Sequence, residues 1–378
     1  MSAHIGQFSG RLTIDLGAIA RNWKGLDAIS ANSLTPAVVK ANAYGCGMER
    51  VAATLSHAGA QFFFVATPDE GLALRSQMPN AHIFILNGLF AGAGKLYTQH
   101  NLMPVINSLP MLDEWLAICI EAGEALPAGF QFDTGMNRLG FRLLDISIVQ
   151  SRIKETGYQP QVIMSHLACA DIPAHEKNNT QRALFQSVIA QFPQIPASLA
   201  NSAGILGGRE NHFQMVRPGI SLYGGRAVQG RPNPMAGVVT LEMPLIQIRE
   251  ARTGESVGYG AGQTLNRDSR LAIVGAGYND GILRSASSSN ARSGGFVAIK
   301  GKLAPILGRV SMDTIIVDIT ELGPNIPDPG EMIEIIGPNI SIDDLADASG
   351  TIGYEILTSL HGRFNRFYRD ENGNLSEG

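Results

Sequence analysis

Cysteine is rare in this sequence of 378 residues. Cys46, Cys119 and Cys169 are an odd number, and none of them has the spacing of a zinc ribbon or of a covalent haem attachment. The three thiols therefore predict no disulfide framework and no metal site, and they indicate a reducing compartment.

An excess of charge of one sign is also missing. The 29 lysine and arginine residues face 33 aspartate and glutamate residues, which leaves a net charge of −4. A nucleic-acid-binding surface requires a basic surplus that this composition does not supply. We therefore expect no nucleic-acid partner.

Long apolar runs are absent as well. No stretch of about 18 uncharged apolar residues, the length that crosses a bilayer, occurs in the sequence. The first segment, MSAHIGQFSGRL, lacks the apolar core of a secretory signal peptide. We therefore expect a cytoplasmic protein with no membrane partner.

Short apolar runs, in contrast, recur from about residue 36 to residue 220. Each run ends in a polar or glycine-containing loop, and most are followed by a segment of helical periodicity. The predicted helices include Met48–Ala60, Asp69–Met78, Met111–Ala122 and Asn178–Gln191. The predicted strands are Pro36–Val39, Phe62–Ala66, His82–Leu86, Met103–Ile106, Gly129–Phe132, Gln161–Met164, Ala197–Leu199 and Gln214–Val216. Eight such units predict a (β/α)8 barrel of the TIM type.

The pattern changes after the Pro/Gly-rich stretch Val228–Gly237. Beyond it, β-branched runs alternate with turn residues, which is typical of antiparallel β structure. One helix is predicted at Ile342–Ala348 with Ser341 as its N-cap, and the tail ENGNLSEG is expected to fray. We predict an α/β barrel at 11–230, whose first strand at about 11–15 is able to pack with the second domain. A mainly β domain follows at 236–378.

Reactive side chains follow the predicted barrel strands, at the end where such barrels place their active sites. Lys40 ends the apolar run TPAVV, where desolvation lowers a lysine pKa and favours Schiff-base chemistry. By position alone, a solvated or salt-bridged lysine is the more frequent case. The last two units end in ANSAG and VRPGISLYG, whose small residues let backbone amides approach a phosphate. Ser202, Gly219, Ile220 and the hydroxyl of Tyr44 are candidate phosphate ligands, although the glycines are also explained by tight turns.

Nine segments in sequence order resemble the bacterial alanine racemases. They are AVVKANAYGCG, FDTGMNRLGF, SHLACAD, NSAG, VRPGISLYG, VGYGAG, VGAGYNDG, LGRVSMD and IGYEILTSL, and the resemblance extends from about Arg11 to Tyr368. It implies a pyridoxal-phosphate-dependent racemase that interconverts L-alanine and D-alanine and supplies D-alanine for peptidoglycan.

The resemblance also implies a role for each matching residue. Lys40 would hold the cofactor and act as a base on one face of the substrate Cα, and Tyr259 would act on the other face. The implied cofactor-binding residues are Lys40, Tyr44, His166, Ser202, Arg217, Gly219, Ile220 and Tyr354. The implied substrate-binding residues are Arg138, Met312 and the gate residue Tyr278, and the implied entrance residues are Asp171, Arg284, Arg309 and Asp313. From the residues alone, a surface ion pair with Asp133 is an equally good explanation of Arg138.

In this family Tyr259, Tyr278 and Met312 come from the second subunit, so the resemblance implies a head-to-tail homodimer with shared sites. The sequence departs from the family at Gln131, where many members carry a carbamylated lysine that orients the arginine. The amide of Gln131 is able to accept a hydrogen bond from Arg138 but brings no charge, so we expect either that the arginine is held differently or that a small anion such as chloride fills the gap. Cys46 replaces a frequent histidine, and we expect little effect.

Three other functions remain open from the sequence. A racemase of broader range, or one that prefers serine, is compatible with Gln131. A decarboxylase of basic amino acids would need an acidic pocket, which the gate at Tyr278 disfavours. A carrier of pyridoxal phosphate would have no use for the second domain.

Overall fold

The computed structural model describes residues 9–324 and 326–378, so the start of the segment MSAHIGQFSGRL lies outside the described residues. Its larger feature is a parallel sheet of eight strands in sequential order, β2 to β9. Leu34 N donates to Gln214 O at 2.9 Å and Val38 N donates to Pro218 O at 3.1 Å, which joins the last strand to the first. The predicted (β/α)8 barrel is therefore confirmed.

The barrel strands begin and end within two residues of the predicted runs. They are β2 (Ala37–Val38), β3 (Phe62–Val65), β4 (His82–Ile85), β5 (Leu102–Ile106), β6 (Gly129–Gln131), β7 (Val162–Met164), β8 (Ala197–Asn201) and β9 (Met215–Arg217). The helices that follow them are Met48–Ala58, Pro68–Gln77, Gly94–Gln99, Leu109–Ala122, Ile146–Thr156, Glu176–Ile189 and Ser202–Gly207. Alternating apolar runs and amphipathic helices are what a parallel barrel requires, because each strand is reached through a crossover.

The second feature is a sheet of nine strands, which the chain enters twice. Its first strand, β1 (Gly10–Asp15), precedes the helix Leu16–Ile29 and the barrel. The remaining strands are β10 (Val239–Ala251), β13 (Ser269–Val274), β14 (Phe296–Ile299), β15 (Lys302–Leu307), β16 (Ile315–Asp318), β17 (Met332–Ile336), β18 (Phe364–Arg369) and β19 (Leu375–Glu377). The short strands β11 (Ser256–Val257) and β12 (Gln263–Thr264) form a separate hairpin. β1 pairs antiparallel with β10 and parallel with β18, so the N-terminal strand belongs to this sheet.

Helical structure in the second half exceeds the prediction. The helix Ile342–Ser349 is capped by Ser341, whose Oγ accepts from Asp344 N at 3.1 Å, and this confirms the predicted N-cap. A further helix, Gly353–Thr358, was not predicted, because six residues are too few to show a helical period. The expectation of a frayed tail was wrong, since β19 pairs antiparallel with β18.

One apolar core extends from the barrel into the second sheet, where it includes Val274 and Val317. Stacked aromatic rings fill part of the barrel, with the centroids of Phe64 and Phe84 4.8 Å apart. In the residues that the structure describes, no helix is both long and apolar enough to cross a membrane. The core thus fixes the strand ends, on which the candidate site is built.

Candidate active site

A cavity of about 610 Å³ opens at the C-terminal ends of the barrel strands. Most of its lining residues end a strand or directly follow one. From the barrel these are Val38, Lys40, Ala41, Tyr44, Leu86, Asn87, Gln131, Arg138, Leu139, His166, Asn201, Ser202, Arg217, Gly219 and Ile220. The second half contributes Ile352, Tyr354, Glu355 and Thr358. The structure therefore brings nine of the predicted site residues together, all of them predicted to contact cofactor or substrate.

Lys40 is followed by an unusual backbone conformation. The four residues Ala41–Tyr44 have φ angles of 53, 53, 54 and 54°, which form a left-handed turn without glycine. Each such residue costs about 1–2 kcal/mol in L-amino acids, so the surrounding structure has to stabilise the turn. Ala43 N donates to Val39 O at 2.8 Å, and Asn42 Oδ1 accepts from Met48 N at 2.8 Å. The turn places Lys40 and Tyr44 on the same cavity.

The environment of Lys40 favours its neutral amine. Burial lowers the pKa of Lys40, the charge of Arg138 lowers it further, and the carboxylate of Glu70 acts in the opposite direction. A neutral amine is the nucleophilic and basic form. Lys40 is therefore better suited to covalent chemistry than an exposed lysine.

Arg217 is a buried cation at the end of β9. Its guanidinium donates to Ser198 Oγ, to Ser165 O at 2.6 Å and to His166 Nδ1 at 3.4 Å. Burial lowers the pKa of Arg217 to about 9, so the group is still charged at neutral pH. Among the described residues no carboxylate pairs with it. The cavity thus presents an uncompensated guanidinium.

Hydroxyl groups collect at another part of the cavity. The ring of Tyr44 stacks on Tyr223 with centroids 4.6 Å apart and lies 6.0 Å from the ring of Tyr354. Burial raises the pKa of Tyr44, and burial with the charges of Asp171 and Asp343 raises the pKa of Tyr354 to about 12. Both phenols therefore keep their protons at neutral pH and are able to donate.

Gly219 lies next to the hydroxyl groups of Tyr44 and Ser202. Its N–H donates to Ser202 Oγ at 2.9 Å, and a Cβ at this position would collide with the hydroxyl of Tyr44. Only glycine therefore allows the loop after β9 to approach Tyr44 so closely. Together with the guanidinium of Arg217, these donors suit a ligand that carries negative charge.

In the loop after β6, Arg138 pairs with neither Asp133 nor Gln131. The carboxylate of Asp133 accepts from the backbone of residues 135, 136 and 137 instead of pairing with Arg138. The amide of Gln131 donates to Leu139 O at 2.9 Å and not to or from Arg138, which agrees with the alternative that the arginine is held differently. Within residues 9–324 and 326–378, Arg138 has no hydrogen bond or ion pair. Its guanidinium is exposed at the cavity and open to an anion.

Six predicted site residues of the second half do not line this cavity: Tyr259, Tyr278, Arg284, Arg309, Met312 and Asp313. Tyr259 is 72% exposed and Met312 is 52% exposed. Tyr278 N donates to Ser311 O at 3.0 Å, which places the Tyr278 and Met312 loops side by side. Within one chain these groups therefore lie on the surface.

Three of the four predicted entrance residues contact other residues of the same chain. Asp313 pairs with Arg363 at 2.9 Å, and the guanidinium of Arg309 lies against Gly260, next to Tyr259. Asp171 Oδ2 accepts from the side chain of Gln229 at 2.6 Å. Its charge reaches Tyr354, so Asp171 lies near the cavity without lining it.

Sequence reasoning missed several residues that shape the site. Ser165 and Ser198 hold Arg217, and Ser198 is a fully buried polar residue within an apolar strand. A polar residue in such a run was the available signal, because burying it requires a hydrogen-bond partner. Glu70 was missed although it stands three residues after Thr67, the spacing of a capping box.

These observations define a class: a (β/α)8 barrel whose strand ends offer an amine, two guanidinium groups and several hydroxyl groups to an anionic ligand, as barrel enzymes do. The family model described as alanine racemase, N-terminal domain, matches residues 14–227, and that described as alanine racemase, C-terminal domain, matches residues 238–368. The chain belongs to the alanine racemase family.

Individual relatives cover almost the whole chain. A protein named alanine racemase, biosynthetic, from Agrobacterium fabrum is 45% identical over 365 residues, which are 95% of this chain and 93% of the relative. A catabolic alanine racemase from the same organism is 43% identical, over 96% of this chain and 93% of the relative. The crystal structure of alanine racemase from Bartonella henselae with covalently bound pyridoxal phosphate has a TM-score of 0.89 and 37% identity, and covers 95% of this chain and 99% of that one.

Proposed function

We propose that this protein is a pyridoxal-phosphate-dependent alanine racemase that supplies D-alanine for peptidoglycan. The observation that carries the proposal is the convergence of Lys40, His166, Arg217, Tyr44 and Tyr354 on one cavity, in a chain of this family. Each of these groups matches a functional group of the cofactor or of an amino acid.

The residues of the cavity fit pyridoxal phosphate. The absence of a Cβ at Gly219 lets the loop after β9 approach the hydroxyl of Tyr44. The protonated phenols of Tyr44 and Tyr354 and the hydroxyl of Ser202 offer donors for a phosphate. Arg217 would face the ring nitrogen, and because a guanidinium does not readily release its proton, that nitrogen would stay unprotonated. Lys40 would hold the cofactor through its amine.

When bound, pyridoxal phosphate withdraws electrons from the Cα–H bond of an amino acid and so makes that proton acidic. Lys40 Nζ would take the proton from Cα on one face or return it there. Its lowered pKa supports this role, because a base has to be deprotonated before it acts.

A second base is needed on the opposite face, and we assign it to Tyr259. Tyr259 is exposed and does not line the cavity of its own chain. We therefore propose a head-to-tail homodimer, in which Tyr259 of the partner subunit completes each site. The phenol would act together with His166, which links it to Arg217.

Substrate selection is assigned to three further groups. Arg138, which has no partner among the described residues, would bind the substrate carboxylate in a bidentate contact. The backbone N–H of Met312 of the partner subunit would bind its other side, and Tyr278 of the partner subunit would limit the side chain to about a methyl group. Asp171, Arg284, Arg309 and Asp313 would line the entrance.

The competing functions have less support. The relatives described above are named alanine racemase, which does not favour a racemase of broader range or serine preference. The second domain belongs to the family, which argues against a carrier. A cytoplasmic location is proposed from the sequence and is tested by fractionating the cells that express the protein.

The test uses the purified chain with pyridoxal phosphate. We expect an absorbance band near about 420 nm that borohydride abolishes, and formation of D-alanine from L-alanine in clear excess over products from serine and larger amino acids. Lys40→Ala should lack the band, and its turnover should fall at least about 1,000-fold. A band that persists in Lys40→Ala without free amines, or the absence of D-alanine, contradicts the proposal.

A further inference from the structure

Glu70 connects two strand ends of the barrel through its carboxylate. It stands in the first turn of the helix Pro68–Gln77, which Thr67 caps. Glu70 Oε2 accepts from Ala66 N at 2.7 Å and from Thr67 N at 3.3 Å. Glu70 Oε1 accepts from Ala41 N at 2.6 Å, in the loop after the neighbouring strand. The carboxylate thus joins the end of β3 to the residue after Lys40.

The contact with Ala41 goes beyond a capping box. In a capping box the acidic residue reaches back only to the backbone of its own N-cap. The box at Ser341 follows that rule, since Asp344 accepts from Ser341 N at 2.8 Å. The second oxygen of Glu70 instead serves a residue 29 positions earlier in the chain.

Ala41 is also where the left-handed turn begins. Among the backbone hydrogen bonds of the described residues, none has Ala41 N as donor, so Glu70 is its acceptor. Because Ala41 is exposed, loss of this acceptor would leave the N–H of a strained residue to water, without an attachment to the barrel. The carboxylate therefore fixes the first residue of the turn, directly after Lys40, to the end of β3.

We propose that Glu70 is a positioning residue for Lys40, which it holds towards the cavity by anchoring the left-handed turn to the end of β3. The proposal rests on the proposed function for the task that Lys40 performs, but the anchoring itself does not depend on a cofactor.

The charge of Glu70 also acts on the pKa of Lys40. Lys40 shares the cavity with Arg138, Arg217, His166 and Glu355. Burial and the charge of Arg138 lower the pKa of Lys40, and the negative charge of Glu70 opposes both by raising it. The carboxylate therefore increases the fraction of protonated amine at a given pH. Removal of that charge should increase the fraction of free amine at a given pH.

The experiment compares three variants of the full chain without cofactor. Glu70→Asp keeps the cap, since Asp344 caps its own helix at the same position, but it is one methylene too short to reach Ala41. Glu70→Gln removes the charge and one acceptor. Asp69→Asn removes a charge from the adjacent exposed residue in the same helical turn and is the matched control.

Hydrogen exchange is followed by mass spectrometry of peptides. In Glu70→Asp we expect exchange in residues 38–47 to be about tenfold faster, with residues 66–67 unchanged. In Glu70→Gln we expect both regions to exchange faster. Asp69→Asn should match the unsubstituted chain.

Acetylation of Lys40 by acetic anhydride gives a second readout, with exposed Lys24 and Lys95 as internal references. We expect about threefold faster labelling of Lys40 in Glu70→Gln at pH 7, because more of the amine is neutral. The acetylation rate reports the charge of Glu70 near Lys40, whereas only anchoring changes exchange at 38–47: a residue that only caps its helix would leave that exchange unchanged.

Unchanged exchange at residues 38–47 in Glu70→Asp overturns the proposal, and so does acceleration spread over the whole chain. Neither measurement uses racemisation. A chain that fails to racemise alanine but shows the local exchange would refute the proposed function and leave the anchoring established.

Discussion

Arg217 Nη2 lies 3.4 Å from His166 Nδ1, and because a guanidinium only donates, Nδ1 is the acceptor. A neutral His166 therefore carries its proton on Nε2. Burial, together with the charges of Arg217, Arg138 and Lys40, lowers the pKa of His166 to about 3. The imidazole is held in one tautomer and one charge state by a neighbour that cannot reverse the hydrogen bond.

This pKa predicts a pH dependence of stability. Between pH 6.5 and pH 3 the unfolded chain binds a proton at His166 that the folded chain does not bind, so stability falls as the pH falls. Relative to His166→Gln, the unsubstituted chain should lose about 1–2 kcal/mol of unfolding free energy between pH 6.5 and about 4.5.

Urea titrations at several pH values measure the difference. His57→Gln removes an exposed histidine and is the control. Parallel pH profiles for the unsubstituted chain and His166→Gln would show that His166 takes up its proton in the folded state as well.

Arg217 gives a prediction in which stability and activity move in opposite directions. Its burial without a carboxylate costs solvation free energy, which the lowered pKa reflects. Arg217→Met should therefore raise the unfolding free energy of the cofactor-free chain by about 1 kcal/mol, despite the loss of the bonds to Ser165 O, Ser198 Oγ and His166 Nδ1. Turnover should fall at least about 100-fold, since the cofactor loses its partner.

Arg182→Met is the matched control, because Arg182 has an acidic partner, Glu210, at 3.6 Å and a hydrogen bond to Asn179. That variant should be less stable than the unsubstituted chain. If Arg217→Met loses stability to the same extent, the guanidinium is a structural support and its desolvation is not the dominant cost.

The barrel was predictable from the sequence because apolar runs and helical periods record burial directly. Runs such as Phe62–Ala66 match their strands to within two residues, since a strand buried on both faces needs an uninterrupted apolar segment. The boundaries at 230 and 236 between the two predicted domains stay a prediction, as do the individual roles of the site residues.

Features set by tertiary contacts were not predictable. No propensity indicates that Ala41–Tyr44 adopts left-handed angles, because the turn depends on acceptors from Glu70 and Asn42. The strand Leu375–Glu377 is exposed on all three residues and shows no apolar run, and it forms only because β18 presents an edge. In these cases the decisive partner lies far away in the sequence or in another element.

Shared sites predict complementation between inactive variants. Lys40→Ala and Tyr259→Ala should each be inactive, and mixing equal amounts should restore about a quarter of the normal activity after subunit exchange. Half of the dimers are then mixed, and each mixed dimer has one intact site. The measurement is D-alanine formation after exchange verified with two differently tagged chains.

The control mixes Lys40→Ala with Arg138→Ala, two residues that line the same cavity within one chain. Mixed dimers of this pair have no intact site, so activity should not return. Equal recovery in both mixtures, or none in the first, would argue against a site completed by the partner subunit.

Gln131 predicts a separation of binding from turnover. Its amide donates to Leu139 O at 2.9 Å and so fixes the loop that carries Arg138. Gln131→Leu leaves that carbonyl without its donor, and we expect KM for alanine to rise about 5- to 10-fold while kcat stays within about twofold.

Gln150→Leu is the matched control, because Gln150 donates to Gln191 O at the same 2.9 Å on a helix away from the cavity. Both variants should lose about 1 kcal/mol of stability, since each removes one amide-to-carbonyl bond, but only the first should change KM. A fall in kcat with unchanged KM in Gln131→Leu would place the residue in the proton-transfer step, and equal effects of the two variants on KM would attribute the change to general loosening of the barrel.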